Sequence, residues 1–158
     1  MTRAIVLYDS LHGNTMRVAL SLAKGIEKAD IEVKCLSIAE VDLGQLPIYD
    51  FVAIGGPTHM IRMSKPMKAF MERLRSVNLR GKRGFAFDTR IDSRMNKKSW
   101  GGLENSAARR IESKMKKMKM EIVRPRQSAI VEGTEGPLEE GTEAKFRKIG
   151  VEIAEVIA

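Results

Sequence analysis

The sequence predicts a three-layer α/β/α sandwich built on a five-stranded parallel sheet. Short apolar runs that read as strands alternate with stretches of helical periodicity along the whole chain. The strand-like runs are apolar almost without interruption, as strands covered on both faces are. At 158 residues, the chain has the size of one domain, expected over 1–158.

Ala4 to Tyr8 is the first strand, and Asn14 to Ile26 is a helix whose inner stripe is Ala19, Leu22, Ala23 and Ile26. Ile31 to Leu36 alternates like a second strand. Phe51 to Ile54 is a third, stopped by Gly55-Gly56-Pro57. A helix beginning near Pro66, a residue suited to a first helical turn, carries Met67, Phe70, Met71 and Leu74 inward until Gly81. Gly84 to Phe87 is the fourth strand, and Gly102 to Met118 is helical. Glu121 to Val123 with Ser128 to Val131 makes a long or bent fifth strand. Phe146, Ile149, Ile153, Val156 and Ile157 stripe a terminal helix.

Composition narrows the function classes. The chain is 43% hydrophobic and 30% charged, and no apolar run approaches the roughly 20 residues of a membrane span. The start of the chain reads as a strand and lacks the pattern of a signal peptide, so the expected location is the cytoplasm. The single Cys35 cannot form an internal disulfide and sits where a packed thiol is expected. Net charge is +8, but Arg62 to Arg126 holds twenty basic residues against six acidic ones, while the remainder is net negative. Such a block suits an anionic cofactor, an acidic partner or nucleic acid, or is a solvated helix face. Met63, Met67 and Met71, at helical spacing, read as core, and the lysines from Lys114 to Lys119 as a solvated face.

In an open parallel sheet, ligands bind beyond the carboxyl ends of the strands, where successive crossovers go to opposite faces. Three loops lie there: Asp9 to Thr15, Gly55 to Lys65, and Asp88 to Gly101. The first carries side-chain donors at Ser10, His12, Asn14 and Thr15, a glycine at Gly13 for a tight turn, and a helix N-terminus near Asn14 whose amides and dipole attract an anion. It lacks the lysine of a triphosphate loop and the G-x-G-x-x-G spacing of a dinucleotide fold, so a phosphate monoester suits it best. A merely capped turn is the alternative.

Tyr8-Asp9-Ser10-Leu11-His12-Gly13-Asn14-Thr15 resembles the flavodoxin phosphate loop, Ser/Thr-x-Thr-Gly-Asn-Thr, with His12 for the usual threonine. Ile54-Gly55-Gly56-Pro57-Thr58-His59, followed by Pro66-Met67-Lys68-Ala69-Phe70, is similar to that family's Gly-x-Pro-Thr loop and its helix. The resemblance implies a sheet order of 2-1-3-4-5, noncovalent FMN, and electron transfer between partner proteins rather than an enzyme with its own substrate. It implies that Ser10, His12, Asn14 and Thr15, with the backbone of Leu11 and Gly13, hold the FMN phosphate. Pro57, Thr58, His59 and Met60 would border the isoalloxazine ring, and Asp88, Thr89 and Arg90 would cover its other side. No side chain need act as acid or base.

Departures from the family pattern sharpen the expectations. His12 brings an imidazole beside a phosphate. His59 stands where relatives often place an aromatic ring on the flavin, with Trp100 as the alternative stacking residue. Met60-Ile61 replaces a turn glycine, so a peptide flip toward reduced flavin should cost more and the one-electron-reduced state should be less stabilised. Arg62, Lys65, Arg90, Arg94, Lys97 and Lys98 should surround the site, favouring the anionic reduced flavin and an acidic docking partner. Two other readings stay open: an FMN-dependent NAD(P)H:quinone or flavin oxidoreductase, and a flavin-free fold that binds nucleic acid. An aromatic content of 5% offers little base stacking for the latter.

Overall fold

The computed structural model describes residues 1–28, 30–59, 62–91 and 106–158. β1 (Thr2–Tyr8) leads through a loop into α1 (Asn14–Ile26), followed by β2 (Ile31–Ser37), a 3₁₀ turn (Leu43–Ile48) and β3 (Phe51–His59). Next come β4 (Arg62–Met63), α2 (Lys65–Leu74), β5 (Arg83–Ile91), α3 (Ala107–Lys117), β6 (Glu121–Ile122), β7 (Gln127–Val131) and α4 (Thr142–Ile157). The strands order as β2-β1-β3-β5, with β6 and β7 both pairing in parallel along the outer edge of β5. This is the expected order 2-1-3-4-5, its fifth strand interrupted at Arg124-Pro125-Arg126, where a proline offers no ladder donor.

Alternation along each strand divides the core. Ala4, Val6, Phe51, Ala53, Phe85 and Phe87 face α1 and α4, whereas Ile5, Leu7, Val52, Ile54 and Ala86 face α2 and α3. Both sheet faces are covered, which explains why these runs read as uninterrupted apolar strands. α1 and α4 meet at a glycine contact. A Cβ built on Gly25 would stand 2.0 Å from the Arg147 carbonyl oxygen, and one on Gly150 2.3 Å from that of Leu22. Only hydrogen fits there, so the two backbones approach closely and draw Phe146, Ile149 and Ile153 over the sheet.

Several boundaries differ from expectation. β3 runs through Gly55-Gly56-Pro57 to His59, because its ladder to β5 continues as far as Pro57 and β4 then pairs antiparallel with Thr58 and His59. Tertiary pairing overrides the stop signal. β5 likewise continues through Asp88, Thr89 and Arg90 to Ile91, held by β7, so the third loop begins later than Asp88. α2 ends at Leu74 rather than at Gly81. The described part of the next helix starts at Ala107, after a Ser106 cap, and residues 102–105 of its expected span lie outside the described residues. Val156 faces solvent, while Phe146, Ile149, Ile153 and Ile157 are buried as the stripe required.

Candidate functional site at the carboxyl ends of the strands

The topology brings the ends of β1, β3 and β5 side by side at the point where crossovers diverge to opposite faces. The Asp9 amide donates to the Gly55 carbonyl at 3.0 Å, fastening the first loop beside the end of β3. The loop then turns at Gly13, whose φ of 89° is left-handed and natural only for glycine. The Gly13 amide donates to Ser10 Oγ at 3.0 Å, which leaves the serine its own hydroxyl proton to give. Leu11 and His12 are exposed.

Helix caps distinguish this end of the molecule. α2 is capped by Ser64, which accepts from the Met67 amide, and α3 by Ser106, which accepts from that of Arg109. α1 and α4 each open behind a left-handed glycine with no side-chain cap. At α1 the uncapped N-terminus follows the Ser10–Gly13 turn, so first-turn amides stand near the Ser10 hydroxyl where the helix dipole is positive, with the exposed His12 two residues before the helix.

The remaining loop side chains bind one another. Thr15 is buried, and its hydroxyl shares a 2.8 Å hydrogen bond with that of Thr89. Asn14 Nδ2 donates to the Glu135 carbonyl at 3.1 Å, fixing the β7–α4 loop over the start of α1. Ser64 donates to the Asp9 carboxylate at 2.5 Å, joining the first loop to the start of α2. Thr58 donates to Asp88 Oδ2 at 2.6 Å and accepts from the Ala107 amide at 2.9 Å, while the Ala108 amide reaches the same carboxylate oxygen at 3.3 Å. Asp88 is fully buried. Burial raises its pKa above the ordinary carboxylate value, against the neighbouring Ser128 hydroxyl, the Thr58 and Ala108 donors and the charge of Arg90.

Ser10, Leu11, His12, Gly13, Asn14 and Thr15 therefore come together with Pro57, Thr58 and His59 at adjacent strand ends. Pro57 and Thr58 are half-buried, His59 is exposed, and Arg90 is half-buried at the end of β5. Asp88 and Thr89 show almost no surface, so their side chains lie beneath the site and brace its loops. Met60, Trp100, Arg94, Lys97 and Lys98 lie outside the described residues; Arg62 and Lys65 are exposed beside the end of β3. Sequence reasoning passed over Asp9, Ser64, Ser106 and the segment around Glu135. Ser64 and Ser106 precede helical runs, and a cap was the available signal; the segment from Gly133 to Gly141 is dense in turn residues.

A family model described as "Flavodoxin" matches residues 6–149. The chain belongs to the flavodoxin family. A flavodoxin from Clostridium saccharobutylicum is 35% identical over 85 residues, covering 53% of each chain. A probable flavodoxin 1 from Bacillus subtilis is 31% identical over 55 residues, 35% of each chain. The chain thus matches about half the length, or less, of these curated relatives. Over full length it resembles the solved structure of a flavodoxin from the domain Archaea, with 28% identity, a TM-score of 0.79 and 99% of both chains covered. It also resembles oxidised Flavodoxin 1 from Bacillus cereus, with a TM-score of 0.82, 18% identity, and 99% of this chain and 100% of that one covered. At that identity, the likeness speaks to fold.

Flavodoxins bind FMN, and FMN is the cofactor of this flavodoxin. The residues present fit it. An uncapped helix N-terminus behind a left-handed glycine, with Ser10 and His12 beside it, suits a phosphate dianion. The absence of a lysine from that loop suits a monoester over a triphosphate. Among the described residues no helix is long and apolar enough to cross a membrane, and no cluster of metal ligands occurs. Cys35 is half-buried, and burial pushes its thiol up to about 11, which makes it a packing residue.

Proposed function

We propose that this flavodoxin carries electrons between redox partner proteins, with FMN seated across the ends of β1, β3 and β5. The observation that carries the reading is the Ser10–Thr15 loop: a Ser10-braced, glycine-turned entry into an uncapped α1, standing at the switch point of the sheet.

In this reading, Ser10 and His12 bind the phosphate through side chains and Leu11, Asn14 and Thr15 through backbone amides, while Gly13 supplies the turn and its amide braces Ser10. The Asn14 side chain is occupied by Glu135 and the Thr15 side chain by Thr89, so both serve as braces. Pro57, Thr58 and His59 border the ring on one side. Arg90 lies toward the other, with Asp88 and Thr89 fixing the strand beneath. Bound FMN supplies reversible one- and two-electron chemistry, and the chain contributes orientation, stacking and charge. No acid or base need be supplied by a side chain. The exposed Arg62 and Lys65 beside the site favour an acidic docking face on the partner, because opposite charge steers encounter.

The test is a visible spectrum of the purified protein after FMN addition and desalting, followed by reduction with dithionite and, separately, with NADH. Retained yellow colour that bleaches with dithionite but not with NADH is expected of a carrier. Bleaching by NADH would make the protein a reductase, and failure to retain FMN would refute both.

A further inference from the structure

The electron-carrier reading places Thr58 and Asp88 at the ring end of the sheet but gives no role to the hydrogen-bonded link between them and α3. They sit at the ends of neighbouring strands, and both point toward the α3 side of the sheet. The Thr58 hydroxyl makes two bonds at once, donating to Asp88 Oδ2 at 2.6 Å and accepting from the Ala107 amide at 2.9 Å. The Ala108 amide donates to the same Oδ2 at 3.3 Å. One buried carboxylate therefore joins the end of β3, the end of β5 and the first turn of α3. On the opposite face of β5, the adjacent Thr89 bonds to Thr15 of α1.

This arrangement is costly to bury. Asp88 has no exposed surface, and taking a carboxylate out of water is unfavourable unless its oxygens are met by donors. What the carboxylate supplies is direction: it accepts only along its lone pairs, so it fixes the Thr58 rotamer and places α3 against β3.

We propose that Asp88 is a positioning residue for the flavin ring, acting through Thr58 to hold the Pro57–His59 end of β3 and, with Thr58, through the Ala107 and Ala108 amides to hold the first turn of α3 against it. The proposal rests on the FMN reading above. It assigns the effect to the ring rather than to the phosphate, because the phosphate loop is braced separately by Ser10, Asp9, Ser64 and Thr89.

The experiment measures dissociation constants of FMN and of riboflavin, which lacks the phosphate, by fluorescence titration of the apoprotein. Thr58→Val removes the hydroxyl at nearly constant shape, Asp88→Leu removes the acceptor, and Thr58→Ser keeps the hydroxyl. Thr58→Val is expected to weaken both flavins about tenfold, equivalent to about 1.4 kcal/mol. The double variant Thr58→Val with Asp88→Leu should weaken them no further than either single change, since one link is being cut. Thr58→Ser should bind within about twofold of the parent. Visible circular dichroism of the bound flavin, which reports ring geometry, should change in Thr58→Val and return in Thr58→Ser. Affinities for both flavins that stay unchanged in a folded Thr58→Val would overturn the proposal, as would a loss confined to FMN. If Asp88→Leu does not fold, the comparison of Thr58→Val with Thr58→Ser decides alone. A parent protein that binds neither flavin would instead overturn the FMN reading, a result distinguishable from failure of the link.

Discussion

Gly13→Ala tests the loop geometry through a cost that can be worked from the structure. Gly13 has a φ of 89°, and among the described residues nothing lies within 4 Å of where its Cβ would stand, so the substitution brings conformational strain without a clash. Holding an L-residue in the left-handed region costs roughly 1–2 kcal/mol. Alanine recovers about 0.4–1 kcal/mol of this by restricting the unfolded chain. The net loss should be about 1 kcal/mol, or a fall in Tm of about 2–4 °C for a chain of this size. Gly13→Asn should lose less, because asparagine tolerates the left-handed region. The assay is urea unfolding of the apoprotein followed by circular dichroism, with the three proteins compared at equal m-values. A loss above about 3 kcal/mol would mean that the methyl meets atoms, and an Asn variant as unstable as the Ala variant would mean that the turn is not left-handed. Either result would refute the reasoning.

Gly25→Ala should be more damaging than Gly13→Ala despite its ordinary backbone, because its Cβ would fall 2.0 Å from the Arg147 carbonyl oxygen. Overpacking of this kind costs about 1–3 kcal/mol, and asparagine should worsen the loss seen in urea unfolding rather than relieve it. Asp88→Asn should change stability in a pH-dependent way. The folded-state pKa of Asp88 is raised, so its charge penalises folding little below the unfolded carboxylate pKa of about 3.9, and increasingly as pH rises through the folded value. The amide keeps an acceptor oxygen for Thr58 without the charge. Its advantage in unfolding free energy should therefore be greatest at pH 7–8 and shrink toward pH 4; a variant less stable than the parent at pH 8 would contradict this. Cys35, with its thiol pushed up to about 11, should be about 0.1% thiolate at pH 8 and should label with a thiol reagent far more slowly than free cysteine, which titrates near 8.5. Fast labelling at neutral pH would show the site to be open.

The layer architecture and the first loop were legible in the sequence because each rests on local chemistry. Strands such as Phe51–Ile54 show burial on both faces through residue type alone, and Asn14–Ile26 shows its inner stripe through spacing. Glycine at position 13 between polar donors announces a tight entry into a helix wherever the chain later goes. Strand ends were less legible. Gly55-Gly56-Pro57 reads as a stop until β5 supplies a partner ladder, and Asp88-Thr89-Arg90 reads as loop until β7 pairs with it. Polar residues near a strand end carry no mark of whether a neighbour will complete their hydrogen bonds.

Tertiary structure alone decided which polar side chains of the site brace and which remain to bind. Thr15 and Asn14 look like donors in the sequence, and they become braces because Thr89 and Glu135, distant in the chain, arrive beside them. Asp88 reads in the sequence as the start of a loop covering the flavin and becomes the buried junction of β3, β5 and α3. The Gly25–Gly150 contact, too, exists only when α1 meets α4. Periodicity and turn chemistry are properties of neighbouring residues and can be read along the chain. Hydrogen-bond satisfaction and close backbone approach are properties of pairs distant in sequence, and folding is what makes the pairs.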